Sequence, residues 1–169
     1  MKDAPNLPKN TSEPTSIIVS DGVYKIHWHI PSIPVRYPVV DMALAGDSNG
    51  VHNVKLFHDN NEPESTWRFF RYSNSPLYQI SNGINNLLLL GRSKGNDNNA
   101  IASPKEAGSD RWTWLLRDAG DGLVYIENYS NHYVLDVAGS NPSDNTDIIL
   151  YPNQGSINQK FRLAKLRDL

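Results

Sequence analysis

The chain has no cysteine, which excludes a disulfide-stapled scaffold and any thiolate metal site. It also lacks long apolar runs. None is longer than Leu87–Leu90, far short of the ~18 residues that a membrane-spanning helix needs, so no membrane insertion is expected. Nor is there an excess of basic charge: 16 Lys and Arg stand against 18 Asp and Glu, a net charge of -2. Binders of a phosphate backbone usually carry a basic stripe, so nucleic acid is not an expected partner. The opening MKDAPNLPKNTSEPTS has none of the apolar core of a secretory signal. The expectation is a cytoplasmic protein, or one released without a signal peptide, and the sequons at Asn10 and Asn128 carry little weight. The chain contains no G-x-S-x-G, phosphate loop or H-E-x-x-H. Nothing fixes two carboxylates at the separation that glycoside hydrolysis requires. A non-enzymatic protein without catalytic residues, cofactor or metal is therefore expected.

What is present reads as strands. The 169 residues, 38% of them apolar, suffice for one domain with a real core. Residues 1–17 are rich in Pro, Asn, Ser, Thr and charge and are expected to form a flexible tail, because such a segment buries too little to offset its ordering entropy. From residue 18 to 169, short runs such as Gly22-Val23-Tyr24-Lys25-Ile26 and Asn53-Val54-Lys55-Leu56-Phe57 alternate with Asn/Gly/Asp/Pro clusters, the mark of strands and turns. No long stretch carries the 3.6-residue periodicity of a capped helix.

An internal repeat organises these strands. Three segments end alike: Glu64-Ser65-Thr66-Trp67-Arg68-Phe69, Ser109-Asp110-Arg111-Trp112-Thr113-Trp114 and Asn158-Gln159-Lys160-Phe161-Arg162-Leu163. With Trp67, Trp112 and Phe161 taken as equivalent, the spacings are 45 and 49 residues. The repeats begin alike too, at Tyr24-Lys25-Ile26, Tyr78-Gln79-Ile80 and Val124-Tyr125-Ile126, each with two apolar residues on one strand face. The predicted spans are about 18–72, 73–119 and 120–169. Three units are too few for a propeller, and one unit alone cannot bury its apolar face. A closed threefold barrel solves both problems, with the three aromatics in equivalent core positions.

The third repeat carries chemistry as well. Tyr133-Val134-Leu135-Asp136-Val137 leads into a loop through Gly139, Ser140, Asn141 and Pro142, followed by Ile148-Ile149-Leu150-Tyr151-Pro152 and Asn158-Gln159-Lys160-Phe161. This ordered set resembles the ricin B-type lectins, β-trefoil proteins with Q-x-W repeats, with Phe161 in place of the usual Trp. The resemblance runs over roughly residues 20–166, but only the third repeat is specific. It implies an all-β, pseudo-threefold β-trefoil that binds terminal galactose or N-acetylgalactosamine on glycoproteins or glycolipids, in a defence, toxin or haemagglutinin system. The residue types fit that task. Tyr151 offers an apolar platform for the C–H face of a hexose. Asp136 can accept from two neighbouring hydroxyls through strong, charge-assisted bonds. The Asn158 amide can both donate and accept, and Gln159 would orient Asp136 or Asn158. By resemblance, Gly139 and Ile149 supply backbone at the sugar rim. A single shallow site binds weakly, so a homodimer or larger assembly is expected to add avidity.

The other repeats are degraded. In the first, Asp41 and Phe57 occupy the corresponding places and make a candidate second carbohydrate site, but Glu64 stands where the amide belongs and, when ionised, cannot donate. In the second, leucines are expected at the acid position and Ser103 at the platform, so no sugar is expected there. His27-Trp28-His29 places two imidazoles on one strand face without a known metal spacing. The segment Ile30-Pro31-Ser32-Ile33-Pro34-Val35-Arg36-Tyr37-Pro38 is stiffened by three prolines. It motivates the alternative reading, a β-trefoil protease inhibitor acting through residues 30–38, because a stiff loop loses less entropy on binding.

Overall fold

The computed structural model describes residues 14–31 and 37–169. Within them the chain is all-β, with four strands per repeat. These are β1 (Gly22–Trp28), β2 (Val39–Gly46), β3 (His52–Phe57) and β4 (Trp67–Arg71); β5 (Tyr78–Asn82), β6 (Leu89–Arg92), β7 (Ala100–Ser103) and β8 (Thr113–Gly120); and β9 (Leu123–Asn128), β10 (Val134–Val137), β11 (Ile148–Tyr151) and β12 (Phe161–Arg167). The first and last strands of each repeat close a six-strand antiparallel barrel in the order β1-β4-β5-β8-β9-β12, with β12 returning to β1. Closure removes the unpaired edges that an open sheet would expose. The middle strands form three hairpins, β2–β3, β6–β7 and β10–β11. These lock to one another cyclically through the pairs Asn53–Ile101, Asn99–Ile149 and Lys55–Asp147. The whole is a β-trefoil.

Alternation along the barrel strands fills the core. Tyr24 and Ile26, Tyr78 and Ile80, and Val124 and Ile126 point inward with Trp67, Trp114, Phe161, Phe69 and Leu116. A single-turn 3-10 helix precedes the last strand of each repeat, at Pro63–Ser65, Asp110–Trp112 and Ile157–Gln159. The core aromatic follows each turn's first residue by four positions, at Trp67, Trp114 and Phe161. This corrects the sequence alignment, which placed Trp112 in that role. The true spacing is 47 residues in both intervals. Trp67 Nε1 donates to the Val40 carbonyl and Trp114 Nε1 to the Leu90 carbonyl, each at 2.8 Å. Trp112 instead packs in a satellite cluster with Leu89 and Ile101. The W-x-W spelling permitted either register, and only the position of the 3-10 turn separates them.

Two further expectations meet the structure at the chain's irregular segments. Thr15, Ser16 and Ile17, assigned to the flexible tail, pair with β8: the Asp118 N–H donates to the Thr15 carbonyl and the Ile17 N–H to the Leu116 carbonyl, both at 2.8 Å. The apolar run Ser16-Ile17-Ile18-Val19 is itself strand-like, and backbone pairing carries that order back to Thr15. Of the proline-rich segment 30–38, residues 32–36 lie outside the described residues, while the Trp28 N–H donates to the Pro38 carbonyl at 2.9 Å where the chain returns. His27 and His29 lie against Tyr37, through the His27 Nδ1 contact to its carbonyl and the His29 ring contact to its phenol. Asn128, in a sequon, is fully buried, with its amide donating to the Arg111 carbonyl.

Trp114 fills the barrel and anchors a hairpin. Trp114→Ala is expected to cost about 3–5 kcal/mol in urea unfolding. Trp114→Phe should lose much less, because Phe161 fills the equivalent place in the third repeat.

Candidate carbohydrate site

In the third repeat, β10 pairs with β11 so that Asp136 faces Ile149 and Val134 faces Tyr151. The 3-10 turn Ile157–Gln159 then brings two side-chain amides to the carboxylate. Asn158 Nδ2 donates to Asp136 Oδ1 at 2.9 Å and to the Val137 carbonyl at 3.2 Å. Gln159 Nε2 donates to Asp136 Oδ2 at 3.0 Å and to the Pro152 carbonyl at 3.0 Å, while its Oε1 accepts from the Gln154 N–H at 2.9 Å. Gln159 is fully buried and Asp136 is 5% exposed. Burial pushes the Asp136 carboxyl above its ordinary value, against the opposing effect of the two amide donors, Gln159 before Asn158.

Asp136, Gly139, Ile149, Tyr151, Gln154, Ser156 and Asn158 line a cleft of about 340 Å³. Five of the six candidate residues share this wall, and Gln159 lies beneath it as the prop of the carboxylate. Tyr151 is 42% exposed, so an apolar face stands beside a buried acid. Gly139 has φ +61 and its missing Cβ would meet nothing within 4 Å. Glycine suits that left-handed backbone, which the adjacent Ser140 also adopts at φ +53, and the lack of a side chain keeps the rim open. Gln154 and Ser156 escaped the sequence reading. The only signal for them was their place in the short stretch between Tyr151 and Asn158.

The geometry alters the role of Asn158. Both N–H bonds of its amide are engaged within the protein, so toward a ligand it presents its carbonyl oxygen. Asp136 has a lone pair to spare on each oxygen. The inner wall of the cleft thus offers acceptors, and none of the lining side chains is cationic. Such a site suits a neutral ligand that brings its own hydroxyl donors together with an apolar face. A cavity of similar volume, about 350 Å³, lies between residues 18–21 and 71–73. Its lining differs in carrying a cationic side chain, Arg71, beside its one carboxylate, Asp21, which accepts from the Arg71 N–H through Oδ1 at 3.0 Å.

The equivalent places in the other repeats follow from register. Asp41 faces Lys55 and Val39 faces Phe57 in the first repeat. There Ser65 Oγ donates to Asp41 Oδ2 at 2.6 Å and Lys55 Nζ lies 3.3 Å from Asp41 Oδ1. Glu64 sits in the 3-10 turn at the place of Asn158. In the second repeat Gly91 faces Ile101 and Leu89 faces Ser103. The acid position is therefore glycine, not the leucine the sequence suggested. Trp112 takes the place of Gln159, and a Cβ on Gly91 would come within 2.2 Å of the Trp112 ring. Arg111, at the place of Asn158, donates to the Arg92 carbonyl at 2.9 Å and to Glu106 at 2.7 Å. The second-repeat cavity is about 170 Å³ and holds neither carboxylate prop nor aromatic platform.

Because Gln159 is buried with three protein partners, Gln159→Ala would leave the Gln154 N–H and one Asp136 oxygen without their donor or acceptor. The expected cost is about 1–3 kcal/mol in chemical unfolding. Tyr151→Ala, at an exposed ring, should change stability by less than about 0.5 kcal/mol.

No curated protein sequence matches the chain. Solved structures do. A designed threefold-symmetric protein, ThreeFoil, superposes with a TM-score of 0.71 at 24% identity, covering 86% of this chain and 100% of its own. A mosquitocidal holotoxin gives 0.74 at 21% identity, covering 89% of this chain and 18% of the toxin. The ricin B-like lectin of Macrolepiota procera, solved with lactose, gives 0.67 at 17% identity, covering 89% and 100%. These likenesses establish the fold. A model of the ricin-type β-trefoil lectin domain-like family matches residues 63–151, from the 3-10 turn of the first repeat to the end of β11. That is more than half of the 169 residues. With the closed barrel and its three interlocked hairpins already in place, this match makes the chain a member of the ricin-type β-trefoil lectin domain-like family, whose lectins bind glycans.

Proposed function

We propose that the chain is a non-enzymatic carbohydrate-binding lectin and that its third-repeat cleft holds a terminal galactose or N-acetylgalactosamine. The observation that carries this reading is the buried Asp136 carboxylate, gripped by Asn158 and Gln159, opening into the same cleft as the exposed Tyr151 ring. The apolar C–H face of the hexose stacks on Tyr151. Two neighbouring hydroxyls donate to Asp136, and a third donates to the Asn158 carbonyl oxygen. Gly139 and Ile149 border the ring with backbone. Gln159 does not touch the sugar; it fixes the carboxylate so that no reorientation is needed on binding, which lowers the entropic cost of association. The cleft is open and takes about one monosaccharide, so binding at a single site is weak. A dimer, or a place in a toxin, defence or haemagglutinin assembly, would supply the avidity. Such a place fits the likeness to a module of the holotoxin.

A glycan array and calorimetric titration with lactose test the reading. Wild type should bind galactosides. Asp136→Asn should lose at least about tenfold in affinity, since a charge-assisted acceptor contributes roughly 1.5–3 kcal/mol. An array on which wild type gives no galactoside signal, or on which Asp136→Asn is indistinguishable from it, would sink the assignment.

The pH dependence has a definite sign. The ionised carboxylate is the acceptor, and its pKa in the folded chain is raised by burial. Affinity should be level near neutrality and fall as pH drops through that raised value, earlier on acidification than for a carboxylate at its ordinary 3.8. The acid limb should be absent from the residual binding of Asp136→Asn.

A further inference from the structure

The first-repeat counterpart of the cleft is occupied by the chain itself. Asp41 and Phe57 stand where Asp136 and Tyr151 stand, but the residue facing the acid is Lys55 instead of Ile149. The Lys55 ammonium lies 3.3 Å from Asp41 Oδ1 and 4.1 Å from the centroid of the Phe57 ring. It donates to Asn145 Oδ1 at 2.9 Å. Its side chain is 15% exposed and that of Asp41 4%. The two groups that face a ligand in the third repeat, a carboxylate and an aromatic ring, here share a cation, through charge-assisted and cation–π attraction. Asn145 belongs to the third-repeat loop. That loop is laid along β3 by the Leu56 N–H donating to the Thr146 carbonyl at 2.7 Å and the Asn145 N–H donating to the Leu56 carbonyl at 2.8 Å.

We propose that Lys55 is an intramolecular ligand that closes the first-repeat pocket, so that each chain offers a single hexose site, and that replacing it by the third-repeat residue opens a second. The proposal rests on the hexose reading of the third-repeat cleft. The physical argument is one of effective concentration. A tethered ammonium meets its partners intramolecularly, whereas a weakly held monosaccharide must displace it from solution. A neutral hexose also brings no charge with which to satisfy Asp41 against a cation.

The experiment uses the full chain and lactose as the probe, with binding read by calorimetry and folding by circular dichroism. Asp136→Asn silences the third repeat. Adding Lys55→Ile to that background should restore lactose binding to within about tenfold of wild type, and a further Asp41→Asn should abolish it. Because Glu64 stands where the third repeat has an amide, the set also includes Lys55→Ile with Glu64→Asn. Wild type that binds, while both opened variants in the Asp136→Asn background fold and bind no better than Asp136→Asn alone, overturns the plug and leaves the third-repeat assignment standing. If wild type binds no lactose, the cleft reading fails and the plug is judged by lysine acylation mapped by mass spectrometry. Lys55 should react about tenfold more slowly than the exposed Lys105 and gain most of that factor in Asp41→Asn, as expected for an amine held in an ion pair with Asp41. Equal rates in wild type overturn the plug whatever the sugar result.

Discussion

The barrel and the hairpins are tied together by the core aromatic in the first two residues of the last strand of a repeat. In the first two repeats its indole N–H donates to a carbonyl of the hairpin, Val40 or Leu90, and the next residue along that strand is the site position, Asp41 or Gly91. One hydrogen bond buried in the core thus sets the height at which a hairpin presents its chemistry. The third repeat has Phe161 and no indole. There the turn before β12 is held from the neighbouring strand β1, by Trp28 Nε1 donating to the Ile157 carbonyl at 3.1 Å. That turn carries Asn158 and Gln159, so the core contact and the site contact share three consecutive residues.

On this common frame the three repeats have diverged where divergence is cheapest. Core positions stay apolar or aromatic in every repeat, although their size varies, as at Tyr24, Tyr78 and Val124. The site positions lie at the cleft walls and can be exchanged together. The third repeat keeps acid, prop and platform. The first keeps acid and platform but adds an ammonium between them. The second exchanges the acid for glycine and the glutamine for tryptophan, and the tryptophan as placed requires that glycine, since any Cβ at Gly91 would strike the ring.

Much of this was legible in the residues. The absence of helical periodicity, the apolar alternation at Tyr24-Lys25-Ile26 and its two counterparts, and the recurring aromatic ends implied three strand-rich units that need one another to bury their faces. Asp136, Tyr151 and Asn158-Gln159 were recognisable because their order and spacing in one repeat carry chemical types that complement a hexose. What was not legible depended on register. Trp112 and Trp114 are two residues apart on a strand-like stretch and equally apolar, so only the 3-10 turn at Asp110–Trp112 tells which one enters the barrel. Gly91 lies beyond a run of leucines in which any residue could be set opposite Ile101. The pairing of Thr15–Ile17 with β8 uses backbone groups, which every sequence has.

The sequence by itself determined the class of fold, the number of repeats and the residue types available to a site, because composition and periodicity are local properties that burial then selects. The tertiary structure alone decided which donors face which acceptors. It turned Asn158 from a free amide into one whose N–H groups are already engaged, and it set Lys55 between Asp41 and Phe57 with Asn145 arriving from another repeat. Hydrogen bonds and ion pairs are made at distances of about 3 Å, and residues separated by 90 positions come within that reach only when the barrel closes.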